Sequence, residues 1–329
     1  MSKHIGIMKS FIKIVILCCA FTVMAQTPDK GIKFGIVADI HHDIMHDAPE
    51  RLADFLDAAK SNDVDFIIDL GDFCFVKEEN RNMVNLWNSF AGDKYHVLGN
   101  HDMDNCTKEE YMDFLGIPSR YYSFDKGDFH FIVLDANNLY SDGIFTPYAH
   151  GNFYVDMSKR EFIDDKQIEW LKNDLKNTDK RCIIFSHQCL ENSVGNRETV
   201  RKIFEDENER AGFKKVVAAF SGHDHTNYEK VINGIVYVQI NSASNQWVGD
   251  EYECNSRFSP EIYARRPSLK KVVPWKDSLY AIVTMDNSGF DLKGKASEFI
   301  APTPEDLKIP ADFFPYPLVP YIKDFKYSF

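Results

Sequence analysis

The chain has 329 residues, a hydrophobic fraction of 44% and a formal net charge of −12 at pH 7. These values are typical of a soluble globular protein with one large domain or two ordinary ones. The acidic balance argues against a general nucleic-acid or anionic-membrane surface, because those partners bind clustered Lys and Arg. If the substrate is anionic, something other than side chains must supply the positive charge.

Residues 1–25 have the pattern of an export signal. Three lysines precede the apolar run 14–23, and Val23 and Ala25 are the small pair before an expected cleavage ahead of Gln26. The apolar run is short for a helix that spans a membrane. We therefore expect a cleaved signal and an exported protein, periplasmic or secreted. Retention of the segment as an uncleaved membrane anchor is the alternative.

Five cysteines remain after that cleavage, scattered along the chain at Cys74, Cys106, Cys182, Cys189 and Cys254. An odd, scattered set is not the disulfide framework of a small secreted domain. We expect buried free thiols for most of them. A single bridge between Cys182 and Cys189 stays open as an alternative.

The first hundred residues predict alternating strands and helices. Apolar runs at 33–38, 66–70 and 96–98 are typical of buried strands, and residues 49–60 and 78–90 have helical spacing. This βαβαβ order predicts a parallel sheet with helical crossovers.

The rest of the chain predicts two further helices, three further groups of strands and a long loop at 136–160 near the site. The helices are expected at 164–176 and 199–210. The strands are expected at 121–124, 129–135, 182–185 and 215–220, in a hairpin at 231–236, and in a final pair at 280–285 and 290–293.

Neither a repeat nor a Gly/Ser linker divides the chain, so we expect one catalytic domain over residues 26–300 and an extended tail over 301–329. Residues 242–275 are expected to form a capping insertion. Its aromatic and basic side chains form either a rim that grips the substrate or the packing of the insertion: Trp247, Tyr252, Phe258, Tyr263, Arg265 and Arg266. The roles of Arg120, Arg160 and Arg197 stay open.

Potential metal ligands follow five of the predicted strands. They are Asp39 with His41, Asp72, Asn100 with His101, His187, and His223 with His225. Strand ends are where α/β sheets present reactive side chains. Without His101, the two carboxylates, one amide oxygen and four imidazoles exceed the four ligands of a single zinc, which suggests two metals sharing one carboxylate. Mixed oxygen and nitrogen ligands fit Mn, Fe or Zn. A single-zinc hydrolase is the alternative.

The segment Val97–Asp102 places three chemical groups side by side after a glycine. Asn100 offers a neutral oxygen to a hard cation, and His101 can carry a proton at neutral pH. Asp102 can hold or polarise that imidazole. We therefore expect His101 and Asp102 to be catalytic and Asn100 to be a ligand.

Five short blocks occur in a fixed order: Asp39-Ile40-His41, Gly71-Asp72, Gly99-Asn100-His101-Asp102, His187, and Gly222-His223-Asp224-His225. Together they resemble the blocks of the calcineurin-like metallophosphoesterases, a binuclear metallophosphatase superfamily. The resemblance implies an α/β fold, a four-layer αββα sandwich of two mixed β-sheets flanked by helices. It places the metals at the sheet edges.

The resemblance also implies a division of the ligands. Asp39, His41, Asp72 and His225 would hold one divalent metal, and Asp72, Asn100, His187 and His223 the other, with Asp72 bridging. A hydroxide between the metals would attack phosphorus in line, His101 would protonate the leaving oxygen, and Asp102 would orient His101. Phe75 stands where purple acid phosphatases have a tyrosinate ligand, which disfavours a purple ferric site.

The function expected from this resemblance is metal-dependent hydrolysis of a phosphomonoester or phosphodiester in a small-molecule or nucleotide substrate. Two alternatives stay open. One is a nucleotide-type pyrophosphatase of the ADP-ribose/CDP-alcohol class that uses the same centre. The other is a non-catalytic scaffold that keeps the fold.

Overall fold

The computed structural model describes residues 31–329, so the expected export signal lies outside the described residues. Sixteen strands and six α-helices are found in this range. The strands are β1 (Ile32–Val37), β2 (Phe66–Asp69), β3 (Asp93–His96), β4 (Tyr122–Lys126), β5 (Phe129–Leu134), β6 (Asn138–Ser141), β7 (Ile144–Pro147), β8 (Arg181–Ser186), β9 (Val216–Ser221), β10 (Tyr228–Ile232), β11 (Ile235–Gln239), β12 (Asn245–Trp247), β13 (Val272–Pro274), β14 (Ala281–Asp286), β15 (Gly289–Gly294) and β16 (Phe325–Ser328).

The helices are α1 (Ala48–Ser61), α2 (Arg81–Asn88), α3 (Lys108–Leu115), α4 (Asp165–Lys176), α5 (Arg197–Ala211) and α6 (Pro260–Arg265). Local chemistry explains where two of them begin. Pro49 lies in the first turn of α1, where a missing N–H costs nothing. Thr107 and Glu110 form a reciprocal capping box at the start of α3. In the part of the chain from residue 31 onward, every helix is too short or too polar to cross a bilayer.

Two mixed six-stranded sheets contain most of the strands. One sheet has the order β16-β15-β14-β1-β2-β3, and the other has the order β10-β11-β9-β8-β5-β4. The pairs β1/β2 and β2/β3 are parallel in the first sheet, as are β5/β8, β8/β9 and β9/β11 in the second. The parallel strands are neighbours within each sheet, and β3 is the terminal strand of the first sheet. Because neighbouring parallel strands run in the same direction, their carboxyl ends lie on the same side of the sheet.

Three hydrophobic cores separate the two sheets and the helices on their outer faces, so these elements form four layers. Phe34 and Ile36 of β1 point into a core between the two sheets, whereas Val37 points to a second core beneath α1 and α2. In β5, Phe131 faces the core between the sheets and Ile132 faces a third core beneath α4 and α5. This alternation follows the two-residue period of a strand. The four-layer αββα sandwich is therefore confirmed.

The stretch 136–160 is not a long irregular loop as expected, because it contains the hairpin β6/β7. Tyr140 packs its ring against Phe145 across the hairpin, at 4.7 Å between centroids, and against Phe162 at 5.2 Å. Cross-strand aromatic pairing of this kind stabilises a short hairpin without strict apolar alternation.

The stretch 242–275 is tied to the first helix by a buried arginine. The Arg51 guanidinium donates to the carbonyl oxygens of Ala243, at 3.1 Å, and Trp275, at 2.6 Å. The tail also packs on the body of the protein: β16 pairs with β15 at the edge of the first sheet, and Ile322 is buried in the core between the sheets.

All five cysteines in residues 31–329 are buried free thiols, so Cys182 and Cys189 are not bridged.

Candidate metal centre

All seven predicted metal ligands lie beyond the carboxyl ends of the parallel strands. Asp39 and His41 follow β1, Asp72 follows β2, Asn100 follows β3, His187 follows β8, and His223 and His225 follow β9. Five of these ligands have a positive φ, which is uncommon for residues other than glycine: Asp39, His41, Asp72, His223 and His225. Strained backbone of this kind concentrates at functional sites.

Two motif glycines bring the loops after β2 and β3 into contact. A Cβ atom on Gly99 would lie 2.2 Å from the backbone nitrogen and from Oδ1 of Asp72. A Cβ atom on Gly71 would lie 2.5 Å from the Gly99 nitrogen, and Gly71 has a φ of +101°. Glycine is therefore required at both positions for the Asp72 carboxylate to approach the Asn100 loop.

The first group of donor atoms comprises Asp39, His41 and His225, whose ligand atoms all lie within 4.8 Å of one another. The Nε2 atoms of His41 and His225 are 3.0 Å apart, and His225 Nε2 is 3.3 Å from Asp39 Oδ1. All three residues are buried.

The second group comprises Asp39, Asp72 and His187, with Asn100 and His223 beside it. His187 Nε2 lies 3.3 Å from Asp72 Oδ2, 3.1 Å from Asn100 Oδ1 and 3.2 Å from His223 Nδ1. Asp72 Oδ2 is also 3.7 Å from His41 Nε2, so this carboxylate lies between the two groups. Asp39 Oδ1 reaches both groups as well, at 4.0 Å from His187 Nε2.

Hydrogen bonds on the far side of the imidazoles fix which nitrogen of each ring faces the centre. His187 Nδ1 lies 2.7 Å from the Leu70 carbonyl, and His225 Nδ1 lies 2.6 Å from the Asn245 carbonyl. His223 Nε2 lies 3.3 Å from Glu161 Oε1. Because carbonyl and carboxylate oxygens only accept, these nitrogens carry protons, and in the neutral rings His187 Nε2 and His223 Nδ1 present lone pairs to each other. A positive charge must lie between these two nitrogens, either a metal ion or, without one, the extra proton of an imidazolium, so the residues fit a metal centre.

The pKa shifts of two histidines show how the buried carboxylates act on the centre. Burial lowers the pKa of His41 to about 3, which keeps that imidazole neutral. Burial acts in the same direction on His187, but the carboxylates of Asp72 and Asp39 outweigh it and raise its pKa to about 10. A metal cation would satisfy the same carboxylates and replace that proton.

His101 lies beside this centre, and Asp104 rather than Asp102 orients it. Its backbone N–H donates to Asp72 Oδ1 at 2.8 Å, and its ring centroid is 5.5 Å from that of His41. His101 Nδ1 lies 2.9 Å from Asp104 Oδ2. The Tyr154 hydroxyl donates to Asp104 Oδ1 at 3.0 Å and lies 3.3 Å from the same ring nitrogen.

The expectation that Asp102 holds the imidazole is therefore wrong. Asp102 points away from His101 and accepts backbone N–H groups: Phe73 at 2.9 Å, Gly99 at 2.7 Å and Asp72 at 3.2 Å. It is almost fully buried. Asp102 thus holds the two ligand loops together, because a carboxylate can accept several bonds at once.

Three contacts were missed from the sequence. Asp104 lies three residues after His101, a spacing that suits a short helical turn and could have indicated the pair. Tyr154 comes from the stretch 136–160, which has no periodic pattern, and Glu161 directly follows that stretch. Only the tertiary fold brings them to His101 and His223.

The aromatic side chains of 242–275 were expected either to form a rim around the substrate or to pack the insertion, and two of them differ in this respect. The Trp247 ring lies 6.0 Å from the His41 ring and 6.1 Å from the His101 ring, so it borders the centre. Tyr263 instead is buried, and its hydroxyl donates to the Cys254 carbonyl at 3.1 Å. Trp247 therefore borders the candidate centre, and Tyr263 packs the segment.

Residues 32–227 match the profile of the calcineurin-like phosphoesterase family, which is more than half of the chain and contains all seven ligands. The chain belongs to this family. This calcineurin-like phosphoesterase is also similar to the manganese-dependent ADP-ribose/CDP-alcohol diphosphatase of Arabidopsis thaliana, with 26% identity over 203 residues. That match covers 49% of this chain and 64% of the plant protein, so it spans less than two thirds of that relative's length.

Solved structures show the same fold at lower identity. A dimetal phosphatase from Danio rerio superposes with a TM-score of 0.56 at 15% identity, covering 82% of this chain and 98% of that chain. GAP50, described as the anchor in the inner membrane complex of Plasmodium, superposes with a TM-score of 0.50 at 19% identity, covering 80% and 84%.

Proposed function

We propose that this calcineurin-like phosphoesterase hydrolyses phosphate ester bonds in small phosphorylated substrates with two bound divalent cations. The observation that carries the proposal is the convergence of donor atoms around His187 Nε2, which has Asn100 Oδ1 at 3.1 Å, His223 Nδ1 at 3.2 Å and Asp72 Oδ2 at 3.3 Å. Asp39, His41, Asp72 and His225 would hold one cation. Asp72, Asn100, His187 and His223 would hold the other.

The bound cations supply the positive charge that orients a phosphoryl group and stabilises its developing negative charge. This chemistry suits an acidic chain, which has fewer Lys and Arg residues than Asp and Glu residues. Mn, Fe and Zn all fit the mixed oxygen and nitrogen ligands. The plant relative is described as manganese-dependent, so Mn²⁺ is the first ion to test.

The chain's own acid is His101. Its Nδ1–H donates to Asp104, so the proton available to the leaving oxygen is the one on Nε2. Burial lowers the pKa of His101, but the carboxylates of Asp72 and Asp104 outweigh it, so the net shift is upward. A raised pKa keeps the imidazolium populated near neutral pH, which is what a general acid needs.

The Arabidopsis relative favours a second, narrower candidate function. Its described activity supports cleavage of a diphosphate bond in a nucleotide such as ADP-ribose or a CDP-alcohol. The non-catalytic scaffold is the weaker candidate, because the donor set around Asp72 and the acid His101 are both complete.

A substrate panel separates these candidates. The protein is reconstituted with Mn²⁺, Zn²⁺ or Fe²⁺ and assayed with p-nitrophenyl phosphate, bis(p-nitrophenyl) phosphate, ADP-ribose and CDP-choline, with Asp72→Asn as the matched inactive control. Metal-dependent turnover of at least one substrate is expected, and ADP-ribose as the best substrate would select the diphosphatase. Failure on all four with metal bound would refute hydrolysis.

We also propose export, on the charged and apolar pattern of residues 1–25. The test is the N-terminus of the protein recovered from the extracellular or periplasmic fraction. Mass spectrometry should find it at Gln26. An intact Met1 on membrane-bound protein would favour the retained anchor instead.

A further inference from the structure

A buried asparagine joins the two loops that carry the proposed ligands Asn100 and His187. Asn137 lies three residues beyond β5 and is fully buried. Its Nδ2 donates to the Leu98 carbonyl at 2.7 Å, and Leu98 is two residues before Asn100. Its Oδ1 accepts from Gln188 Nε2 at 2.7 Å, and Gln188 directly follows His187. One amide group therefore bonds to a loop of the first sheet and to a loop of the second.

An ion-paired carboxylate holds this amide in one orientation. The backbone N–H and the Nδ2 of Asn137 both donate to Asp135 Oδ1 at 3.0 Å. The other oxygen of Asp135 pairs with Lys108 Nζ at 2.6 Å and with Arg120 Nη1 at 2.7 Å. Because Leu98 and Asp135 offer only accepting oxygens, the amide nitrogen must face them and the amide oxygen must face Gln188. Asn137 therefore acts as a rigid link between the two loops.

The donor atoms nearest this link come from different sheets. Asn100 follows β3 of the first sheet, His187 follows β8 of the second, and Asn100 Oδ1 lies 3.1 Å from His187 Nε2. A metal site tolerates errors of only about half an ångström in the placement of its ligands. Residues that hold the ligands from behind commonly change metal affinity by about 10-fold to 100-fold when they are removed.

The loop that carries Asp39 has cross-sheet bonds of its own. The Ser242 hydroxyl donates to the Asp39 carbonyl at 2.8 Å, and the Ser244 hydroxyl donates to the Ile40 carbonyl at 2.8 Å. Both serines follow β11 of the second sheet. The bonds of Asn137 thus serve the side of the centre that contains Asn100 and His187, and the two serines serve the other side.

We propose that Asn137 is a positioning residue that sets the spacing between Asn100 and His187, and thereby the affinity for the cation that these two residues would hold. The inference rests on the proposed function, because it presumes a centre with two cations. Asn137 is not one of the donor residues and acts only through the two loops. Its removal should therefore weaken the binding of one cation and spare the other.

The test titrates metal-free protein with Mn²⁺ and measures the free ion by electron paramagnetic resonance, which gives a dissociation constant for each site. Asn137→Ala should raise one of the two constants by about 10-fold to 100-fold and change the other by less than about 3-fold. The same loss should follow in a His41→Ala background, which leaves the Asn100 and His187 side with its full ligand set. In a His187→Ala background, Asn137→Ala should cause no further loss.

Asn208→Ala is the matched control. The Asn208 side chain also makes three hydrogen bonds in the second sheet, donating to the Val216 carbonyl at 2.9 Å and accepting from the N–H groups of Lys215 at 2.9 Å and Val216 at 2.7 Å. These bonds lie at the start of β9, the end opposite the ligands. Both alanine variants should lower Tm, because each leaves polar groups unpaired, but Asn208→Ala should leave both dissociation constants unchanged.

Gln188→Leu is a milder variant that removes only the bond from Gln188 to Asn137, and it should weaken the same cation by a smaller factor. It decides the question alone if Asn137→Ala does not fold. Unchanged constants in the deciding variant, equal weakening of both cations, or the same weakening in Asn208→Ala would overturn the assignment. Wild-type protein that binds fewer than two Mn²⁺ ions would instead refute the two-cation centre of the proposed function.

Discussion

His101 Nδ1 lies 2.9 Å from Asp104 Oδ2, and this pair occupies a single helical turn directly after the proposed ligand Asn100. The proposed metal ligand and the proposed proton donor are therefore adjacent in the chain, while the carboxylate that orients the donor comes three residues later. The Tyr154 hydroxyl completes the group by donating to the other oxygen of Asp104. This arrangement directs Nε2 of His101 to the proton transfer.

Asp104→Asn should reduce turnover without loss of metal. An amide cannot stabilise the imidazolium as a carboxylate does, so kcat should fall by about 10-fold to 100-fold. The loss should be greater for an alkyl phosphate than for a p-nitrophenyl ester, since p-nitrophenolate leaves without an acid. Steady-state kinetics with both substrates checks this. Equal losses for the two leaving groups would contradict the orienting role.

His101→Asn should retain both metal ions and lose about 100-fold or more of kcat, the usual contribution of general acid catalysis. Elemental analysis and kinetics on the same sample test the two parts together. A variant that lost metal but kept its activity per bound metal ion would show that His101 is a ligand rather than the acid.

Asp102→Asn should destabilise the fold rather than act on the chemical step alone. Its carboxylate accepts three backbone N–H groups from the two ligand loops, and an amide has one accepting oxygen instead of two. Leaving a buried N–H unpaired should lower the free energy of unfolding by about 2 kcal/mol, measured by urea denaturation. Asp104→Asn is the matched comparison and should unfold close to the wild type. The reverse order would restore Asp102 as the partner of His101.

His130, far along the chain from the ligand loops, should make stability depend on pH. It bonds to Asp125 at 2.6 Å and to Asp174 at 2.8 Å. Burial lowers the pKa of His130, but these carboxylates outweigh it and the pKa is raised. The folded state therefore binds the proton more tightly than the unfolded state. The resulting stability is fully present below about pH 6.5 and is lost as pH rises through the raised pKa.

The measurement is urea unfolding of wild type and His130→Asn at several pH values from 6 upward. The difference in unfolding free energy between the two proteins isolates this histidine from the other titrating groups. That difference should shrink as pH rises. A difference that stayed constant, or grew with pH, would contradict the raised pKa.

The elements that the sequence predicted well are those in which one local pattern dominates. The strands around Phe34 and Phe185 are continuous apolar runs, and each is followed by a predicted ligand, so these strands and the site edge could be predicted, whereas the arrangement in two sheets came from the family resemblance. The hairpin β6/β7 was missed because Tyr140 stabilises it by packing on Phe145 and Phe162, and a local sequence pattern does not show these contacts.

The role of Asp102 was predicted wrongly for a related reason. Adjacency in sequence suggested that it holds His101, but successive residues in a helical turn point in different directions, and residues three apart share a face. Glu161 carried no local signal at all. Its contact with His223 depends on how the preceding stretch 136–160 folds across the carboxyl ends of the strands.

Metal content is the most direct test of the central claim. Protein reconstituted with Mn²⁺ and freed of loose ions should contain two manganese ions per chain by inductively coupled plasma mass spectrometry, and Asp72→Asn should lose both or nearly both because its carboxylate lies between the two donor groups. One ion or none in the wild type, or two ions retained in the variant, would contradict a shared centre.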